Sequence, residues 1–116
     1  MKPVLISAAL SLIASSAWAQ EASNPTALGQ FQSDGTTTIV QNGVATSATV
    51  VLKGTVQGTH PNLKLRVEVR LNGDAFTGVF THQAPGYTAP GTVSSVTVAG
   101  LTPGQSYKWQ AQTYPS

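Results

Sequence analysis

The segment from Leu63 to Leu71 constrains the fold of this chain more than any other. Its five odd-numbered residues are aliphatic, and its four even-numbered residues are charged, namely Lys64, Arg66, Glu68 and Arg70. A helix would scatter the aliphatic side chains around its circumference, whereas a strand places them all on one face. The pattern therefore predicts a β-strand with one face in a hydrophobic core and four charges in water.

Similar patterns elsewhere predict further strands. Period-two alternation or β-branched runs occupy residues 36–40, 45–56, 93–101 and 106–113. Asn72-Gly73 is typical of a tight hairpin with residues 76–81 as its return strand, and the prolines within 82–90 indicate a crossing loop outside the ladders. Six or seven strands separated by turn signals predict an all-β fold, a two-sheet antiparallel Greek-key sandwich.

The N-terminus predicts export rather than a part of the fold. A lysine precedes an apolar run over residues 4–14, and Ala17-Trp18-Ala19 supplies the small residues that a signal peptidase requires. We expect residues 1–19 to be a cleaved signal peptide, residues 20–26 a flexible lead, and residues 27–116 the domain. The apolar run is shorter than the roughly 20 residues of a spanning helix, so no integral membrane protein is expected after cleavage. The implied location is periplasmic, cell-surface or secreted, in a bacterium.

Composition excludes several classes of site and partner. The chain has no cysteine, which excludes disulfides, thiolate metal sites and a lipidated N-terminal cysteine. Removing Lys2 with the leader reduces the six Lys and Arg residues to five, against four acidic residues. This near balance of charge predicts no nucleic-acid partner.

The sequence Leu-Thr-Pro-Gly-Gln-Ser-Tyr over residues 101–107 resembles the corner before the sixth strand of fibronectin type III domains. The resemblance extends in pattern from about residue 27 to the end of the chain. It implies that Leu101 closes the bottom of the core and that Pro103 and Gly104 form the turn. It also implies that the Tyr107 hydroxyl bonds back to the backbone while the ring packs inside. The tryptophan that the family buries in its second strand is absent here.

Members of that family continue into a seventh strand that pairs with the sixth. This chain stops at Ser116, so the resemblance implies that the last strand is missing and that the strand over 106–113 has an open edge. Three explanations stay open: the sequence is a fragment, another chain donates the strand, or the sandwich is a six-stranded variant.

Catalytic or metal-binding residues would have to come from a small set. The histidines are His60 and His82, both in proline-containing loops, and the acidic residues are Glu21, Asp34, Glu68 and Asp74. None of these has metal-ligand spacing, no serine lies in a nucleophile elbow, and Asp34-Gly35 is explained as a turn. Trp109 has an inward phase and is expected in the core. We therefore predict no enzyme, no cofactor and no metal site.

Two features are candidates for contact with a partner. Lys64, Arg66 and Arg70 form the largest cationic cluster, and Tyr87 lies in a Pro-Gly loop. The alternative for the cluster is an ordinary solvated strand face. We predict a non-catalytic extracytoplasmic β-sandwich module, a spacer or protein-interaction domain whose partners are other domains, surface proteins or a polysaccharide. The alternative functions are a carbohydrate-binding module, or a fibre subunit completed by a donor strand.

Overall fold

The computed structural model describes residues 4–8 and 22–116. These residues form an all-β domain with eight strands, where six or seven were predicted. None of the described segments is a helix long and apolar enough to cross a membrane. The predicted cleavage site at Ala17-Trp18-Ala19 lies outside the described residues. The strands are β1 (Val4–Ala8), β2 (Ala22–Phe31), β3 (Gly43–Ala45), β4 (Val50–Gly58), β5 (Leu63–Leu71), β6 (His82–Gln83), β7 (Val93–Val98) and β8 (Ser106–Pro115).

The strands form two sheets, as the sequence predicts. The larger sheet has the order β3-β1-β8-β5-β6 and the smaller has the order β2-β4-β7. All pairs are antiparallel except β1 with β8. The longest regular ladder joins β5 to β8 over nine residue pairs, from Leu63↔Pro115 to Leu71↔Tyr107. The all-β class and the two-sheet arrangement are thus confirmed.

The core lies between the two sheets. In β5, the predicted alternation buries Leu63, Leu65 and Val67, while Leu71 at the end of the strand is exposed. Gly54 in the middle of β4 has a packing role, because a Cβ there would lie 2.8 Å from the Leu28 side chain and 3.2 Å from that of Leu65. The missing side chain lets both leucines approach the strand.

A buried polar contact joins the sheets at Trp109. Trp109 Nε1 donates to Gln30 Oε1 at 2.9 Å, and Gln30 Nε2 donates to the Val40 carbonyl at 2.9 Å. Trp109 is 1% exposed, so it lies in the core as predicted. An indole N–H without a partner would be costly there, and Gln30 of β2 removes that cost.

The predicted hairpin after β5 is wrong. Residues 76–81 form no strand, and β5 pairs instead with His82–Gln83. Residues 72–81, called here the covering segment, lie over the outer side of β5. The reason is that the backbone N–H groups of Thr77 and Gly78 donate to the buried Glu68 carboxylate, which draws the chain onto the sheet instead of along its edge.

The prediction that residues 82–90 lie outside the ladders is also wrong. Ala84 N–H donates to the Leu65 carbonyl at 2.9 Å, and Leu63 exchanges backbone hydrogen bonds with Thr88 at 2.8 and 2.6 Å. The prolines follow these contacts without interrupting them. This stretch therefore pairs irregularly along β5 and covers its edge.

Two segments near the N-terminal end of the domain also differ from expectation. Residues 36–40 form no strand, because Asp34 accepts hydrogen bonds from the N–H groups of Thr36 and Thr37 at 2.9 Å and closes a turn. β2 begins at Ala22, before the predicted domain start at residue 27. A register shift between Ser23 and Thr26 accommodates the intervening proline on this edge strand.

Candidate interaction surface

The outer face is the side of β5 and β8 that points away from the core. It carries the even-numbered residues of both strands, paired as Lys64↔Tyr114, Arg66↔Gln112, Glu68↔Gln110 and Arg70↔Lys108. The sequence predicts four charges in water, but Lys64 is only 7% exposed and Glu68 only 2%. Gln110 and Gln112 are buried as well. Much of the outer face is therefore covered, and the expectation of a fully solvated face is wrong.

Glu68 holds the covering segment in place. Its carboxylate accepts hydrogen bonds from the backbone N–H groups of Thr77 at 2.7 Å and Gly78 at 3.0 Å. Arg70 Nε donates to it at 2.8 Å and Gln110 Nε2 at 3.2 Å. Both carboxylate oxygens are satisfied, so the buried charge is compensated from the chain and from the sheet.

Two opposed effects act on the pKa of Glu68. Burial raises the pKa because the charged form loses hydration, while hydrogen bonds from Thr77, Arg70 and Gly78 lower it. The hydrogen bonds together outweigh burial and hold the pKa at about 2, below the ordinary value of 4.5. At neutral pH, Glu68 is an ionised anchor for the covering segment, and its pKa is far from that of an efficient general acid or base.

The cations of the outer face pack against aromatic rings. Lys64 Nζ lies 4.3 Å from the centroid of the Tyr87 ring. Arg66 Cζ lies 3.3 Å from the centroid of Tyr114 and 4.0 Å from that of Phe80. Each such contact is favourable by about 0.5–2 kcal/mol, depending on solvent exposure. Two rings and a strand thus fix the position of the Arg66 guanidinium.

Arg66 has hydrogen-bond donors that find no partner in the part of the chain that the structure describes. Its Nε donates to Gln83 Oε1 at 3.1 Å, and within the described residues its Nη atoms have no hydrogen bond or ion pair. Over the same part of the chain, the single ion pair is that of Arg70 with Glu68. Of the four predicted surface residues, Tyr87 and Lys64 contact each other, and Arg70 pairs with Glu68. Arg66 is the one with Nη atoms that have no partner in the described residues.

The predicted corner residues lie just before and within β8. The Thr102 N–H donates to the Tyr107 hydroxyl at 2.7 Å, and the Tyr107 ring packs against the core. Leu101 is buried, Pro103 is exposed, and Gly104 has a left-handed φ of 86°. These contacts concern the packing of the fold rather than a ligand.

The histidines and the turn carboxylate have local partners. His60 Nδ1 contacts the Asn62 backbone, and His82 Nδ1 contacts Thr81 Oγ1 at 2.8 Å. Burial lowers the pKa of His82, whereas hydrogen bonds from Thr37 lower that of Asp34. In residues 4–8 and 22–116, no three His, Asp or Glu side chains lie close enough to hold a metal ion.

The covering segment and its two aromatic contacts were not predicted from the sequence. Phe80 packs on Arg66, and Phe76 lies 4.7 Å from the ammonium of Lys108. The available signal was the spacing of two phenylalanines within a polar stretch that follows a cationic strand. The Glu68 anchor left no such signal, because its partners are backbone N–H groups that any sequence supplies.

Comparison of the chain with protein-family models, curated proteins and solved structures found no match. The resemblance to fibronectin type III domains therefore stays a prediction from the corner sequence.

Proposed function

We propose that this chain is an exported, non-catalytic β-sandwich module of fibronectin type III-like, Greek-key type, acting as a protein-interaction domain of a secreted or cell-surface bacterial protein. The contact surface in this proposal is the outer face around Arg66. Support for the fold comes from the strand order, because β2-β4-β7 opposite β6-β5-β8 is the order of the corresponding strands in that family. The Thr102–Tyr107 hydrogen bond at the corner adds to it.

The observation that carries the function is the environment of Arg66. The rings of Phe80 and Tyr114 fix the guanidinium, and its Nη atoms have no partner within the described part of the chain. An arginine held in this way has already lost side-chain freedom, so it loses less on binding a carboxylate through two parallel hydrogen bonds. An ordinary solvated strand face would leave such a side chain mobile.

The charge of the outer face favours an acidic partner. Lys64, Arg66 and Lys108 pack on rings and have no ion pair within residues 4–8 and 22–116, whereas Glu68 is used by Arg70 and the covering segment. Lys64 is only 7% exposed, so Arg66 and Lys108, which are half-buried, are the cations that a partner can reach. The partner that fits best is therefore a segment rich in Asp or Glu.

Binding of the full chain to immobilised polyglutamate tests this proposal. At low ionic strength, Arg66→Gln should weaken binding by about tenfold, and Arg66→Lys should weaken it nearly as much because lysine lacks the planar fork. Lys53→Gln is the matched control, since it removes the same charge from the other sheet, where Lys53 lies 4.8 Å from the Phe31 ring. Equal losses for Arg66→Gln and Lys53→Gln would mean that binding follows net charge alone, and would contradict the proposal.

A polysaccharide partner is the second candidate because Tyr87 is 45% exposed beside Lys64. Its ring already contacts the Lys64 ammonium, which leaves one aromatic face for a sugar. Retention of the full chain on polygalacturonate that requires Tyr87 but is unchanged by Arg66→Gln would assign the surface to carbohydrate. Absence of such retention would leave the acidic protein segment as the partner.

A further inference from the structure

β1 lies beside β8 at the edge where the sequence predicts an open position. Its residues 5–8 pair in parallel with residues 106–109 of β8. On its other side, residues 4–6 pair antiparallel with residues 43–45 of β3. β1 thus lies between β3 and the first half of β8. The position that β1 occupies is called here the β3–β8 slot, and the two flanking strands are its walls.

The two walls of the slot depend on the strand between them. In the described part of the chain, β3 and β8 each pair with β1 but not with each other. Ala45 lies opposite Val4, and Trp109 lies opposite Ala8; both wall residues are buried, at 4% and 1% exposure. An empty slot would leave unpaired backbone N–H and C=O groups beside the core. Such groups destabilise the fold and favour pairing with a strand of another chain.

The strand in the slot belongs to the segment that export is predicted to remove. Val4–Ala8 falls within residues 1–19, the predicted signal peptide. We propose that the β3–β8 slot is the docking site for an apolar strand of a partner protein, filled by the leader before cleavage and opened to the partner by cleavage. This contact is separate from the outer face, because it uses backbone groups of a sheet edge and needs no charge.

The leader defines the chemistry of the strand that fits. Val-Leu-Ile-Ser-Ala is uncharged and mostly aliphatic, and aliphatic β-branched residues favour strands. An inserted strand forms hydrogen bonds on both sides, so a proline within it is excluded. It runs parallel to β8 and antiparallel to β3. This is recognition by strand addition, in which the main chain supplies most of the affinity.

The chain's own mature N-terminus does not have this chemistry. After cleavage at the predicted site it would read Gln-Glu-Ala-Ser-Asn-Pro, which carries a charge and a proline. Part of it is also already paired, since β2 begins at Ala22 and binds β4. A partner protein is therefore a better source of the strand than a second copy of this chain.

The experiment uses the full chain with a site-specific protease sequence replacing residues 14–19. The chain is folded intact and then cut, and a synthetic peptide of residues 3–9 is added to the cut protein. The replacement also removes Trp18, so Trp109 is the only tryptophan of the protein. Because the register places Ala8 opposite Trp109, tryptophan fluorescence reports directly on the slot.

Orientation is read from the position of a short-range quencher on the peptide. In the parallel register, a quencher at the C-terminal end lies beside Trp109, while one at the N-terminal end lies about 20 Å farther along the strand. We expect saturable quenching with the C-terminal label and much less with the N-terminal label. The matched control peptide has Ile6→Pro, which should bind at least about tenfold more weakly because it cannot complete the ladder.

Each outcome decides for or against the slot. The proposal is supported if the leader stays bound after the cut and exchanges with excess peptide. It is also supported if the domain unfolds on cutting and the peptide prevents this unfolding. The proposal is overturned if the cut domain stays folded without the leader and binds no peptide. It is also overturned if the domain unfolds and the peptide cannot prevent the unfolding. Equal binding of the proline peptide would also overturn it. Self-assembly of the cut domain, with no peptide binding, would assign the slot to a second copy. None of these results depends on Arg66, so the slot and the outer-face proposal fail separately.

Discussion

The two faces of β5 are both largely buried, but by different means. On the inner face, Leu63, Leu65 and Val67 are at most 1% exposed because aliphatic side chains of the opposite sheet pack against them. On the outer face, Lys64 and Glu68 are buried by aromatic rings and by the covering segment that Glu68 anchors. Inner burial is non-directional and tolerates many apolar neighbours. Outer burial depends on a few donors in fixed positions.

This difference implies that the two faces should fail in different ways. Loss of an inner side chain weakens the whole sandwich, since one core serves both sheets. Loss of the Glu68 anchor should release the covering segment first and leave the ladder of β5 with β8 intact. The outer face therefore depends on a few local contacts, whereas the fold depends on one core shared by both sheets. The following changes separate these two contributions to stability.

Leu65→Ala should have the largest effect. Leu65 is 0% exposed, so its truncation leaves a cavity between the sheets and should lower the free energy of unfolding by about 4 kcal/mol. Urea unfolding measures the loss, and amide exchange should rise across all strands together. A loss below about 1 kcal/mol would show that the inner face is not tightly packed.

Acidification should have the next largest effect. The unfolded chain protonates Glu68 near 4.5 and the folded chain only near 2, so the stabilisation is complete above the first value and is lost as pH falls through the second. The loss should reach about 3 kcal/mol. Burial also lowers the pKa of His82, which adds a loss in the same direction nearer neutrality. Urea midpoints at a series of pH values measure the profile. Glu68→Gln should reduce its acid part, and the remainder comes from Asp34, whose pKa is also lowered by hydrogen bonds.

Glu68→Gln should have a smaller and local effect at neutral pH. The amide keeps one acceptor oxygen but loses the charge, so we expect a loss of about 2 kcal/mol in the free energy of unfolding. Amide exchange at Thr77 and Gly78 should accelerate far more than at Leu65. Arg70→Gln is the matched control, because it removes the ion pair and leaves both backbone contacts, and it should cost about 1 kcal/mol or less. Equal acceleration at all three amides would contradict a local anchor.

The strands of the core were predictable because period-two alternation is a local property of the sequence. β5 and β8 follow the period-two alternation over nearly their whole length, and the corner before Tyr107 contains proline and glycine, which are typical turn residues. These features depend on neighbouring residues alone, so no knowledge of the tertiary contacts is needed.

The outer face was not predictable because its contacts are non-local. Asn72-Gly73 forms a turn, but the return strand predicted after it does not form, because Glu68 binds the following residues through Thr77 and changes the path of the chain. The ring contacts of Arg66 involve Phe80 and Tyr114, which are distant in sequence and meet only when that path is fixed. Alternation correctly puts charges on this face but does not reveal what covers them.

The most direct test of the central claim is the NMR signal of the Arg66 guanidinium in the full chain. If the rings of Phe80 and Tyr114 hold it ready for a carboxylate, its Nε–H proton should be shifted upfield by ring currents. Its Nη protons should be resolved, and they should move on addition of polyglutamate while those of Arg70 stay in place. An averaged Arg66 signal like that of free arginine, unchanged by polyglutamate, would contradict the account.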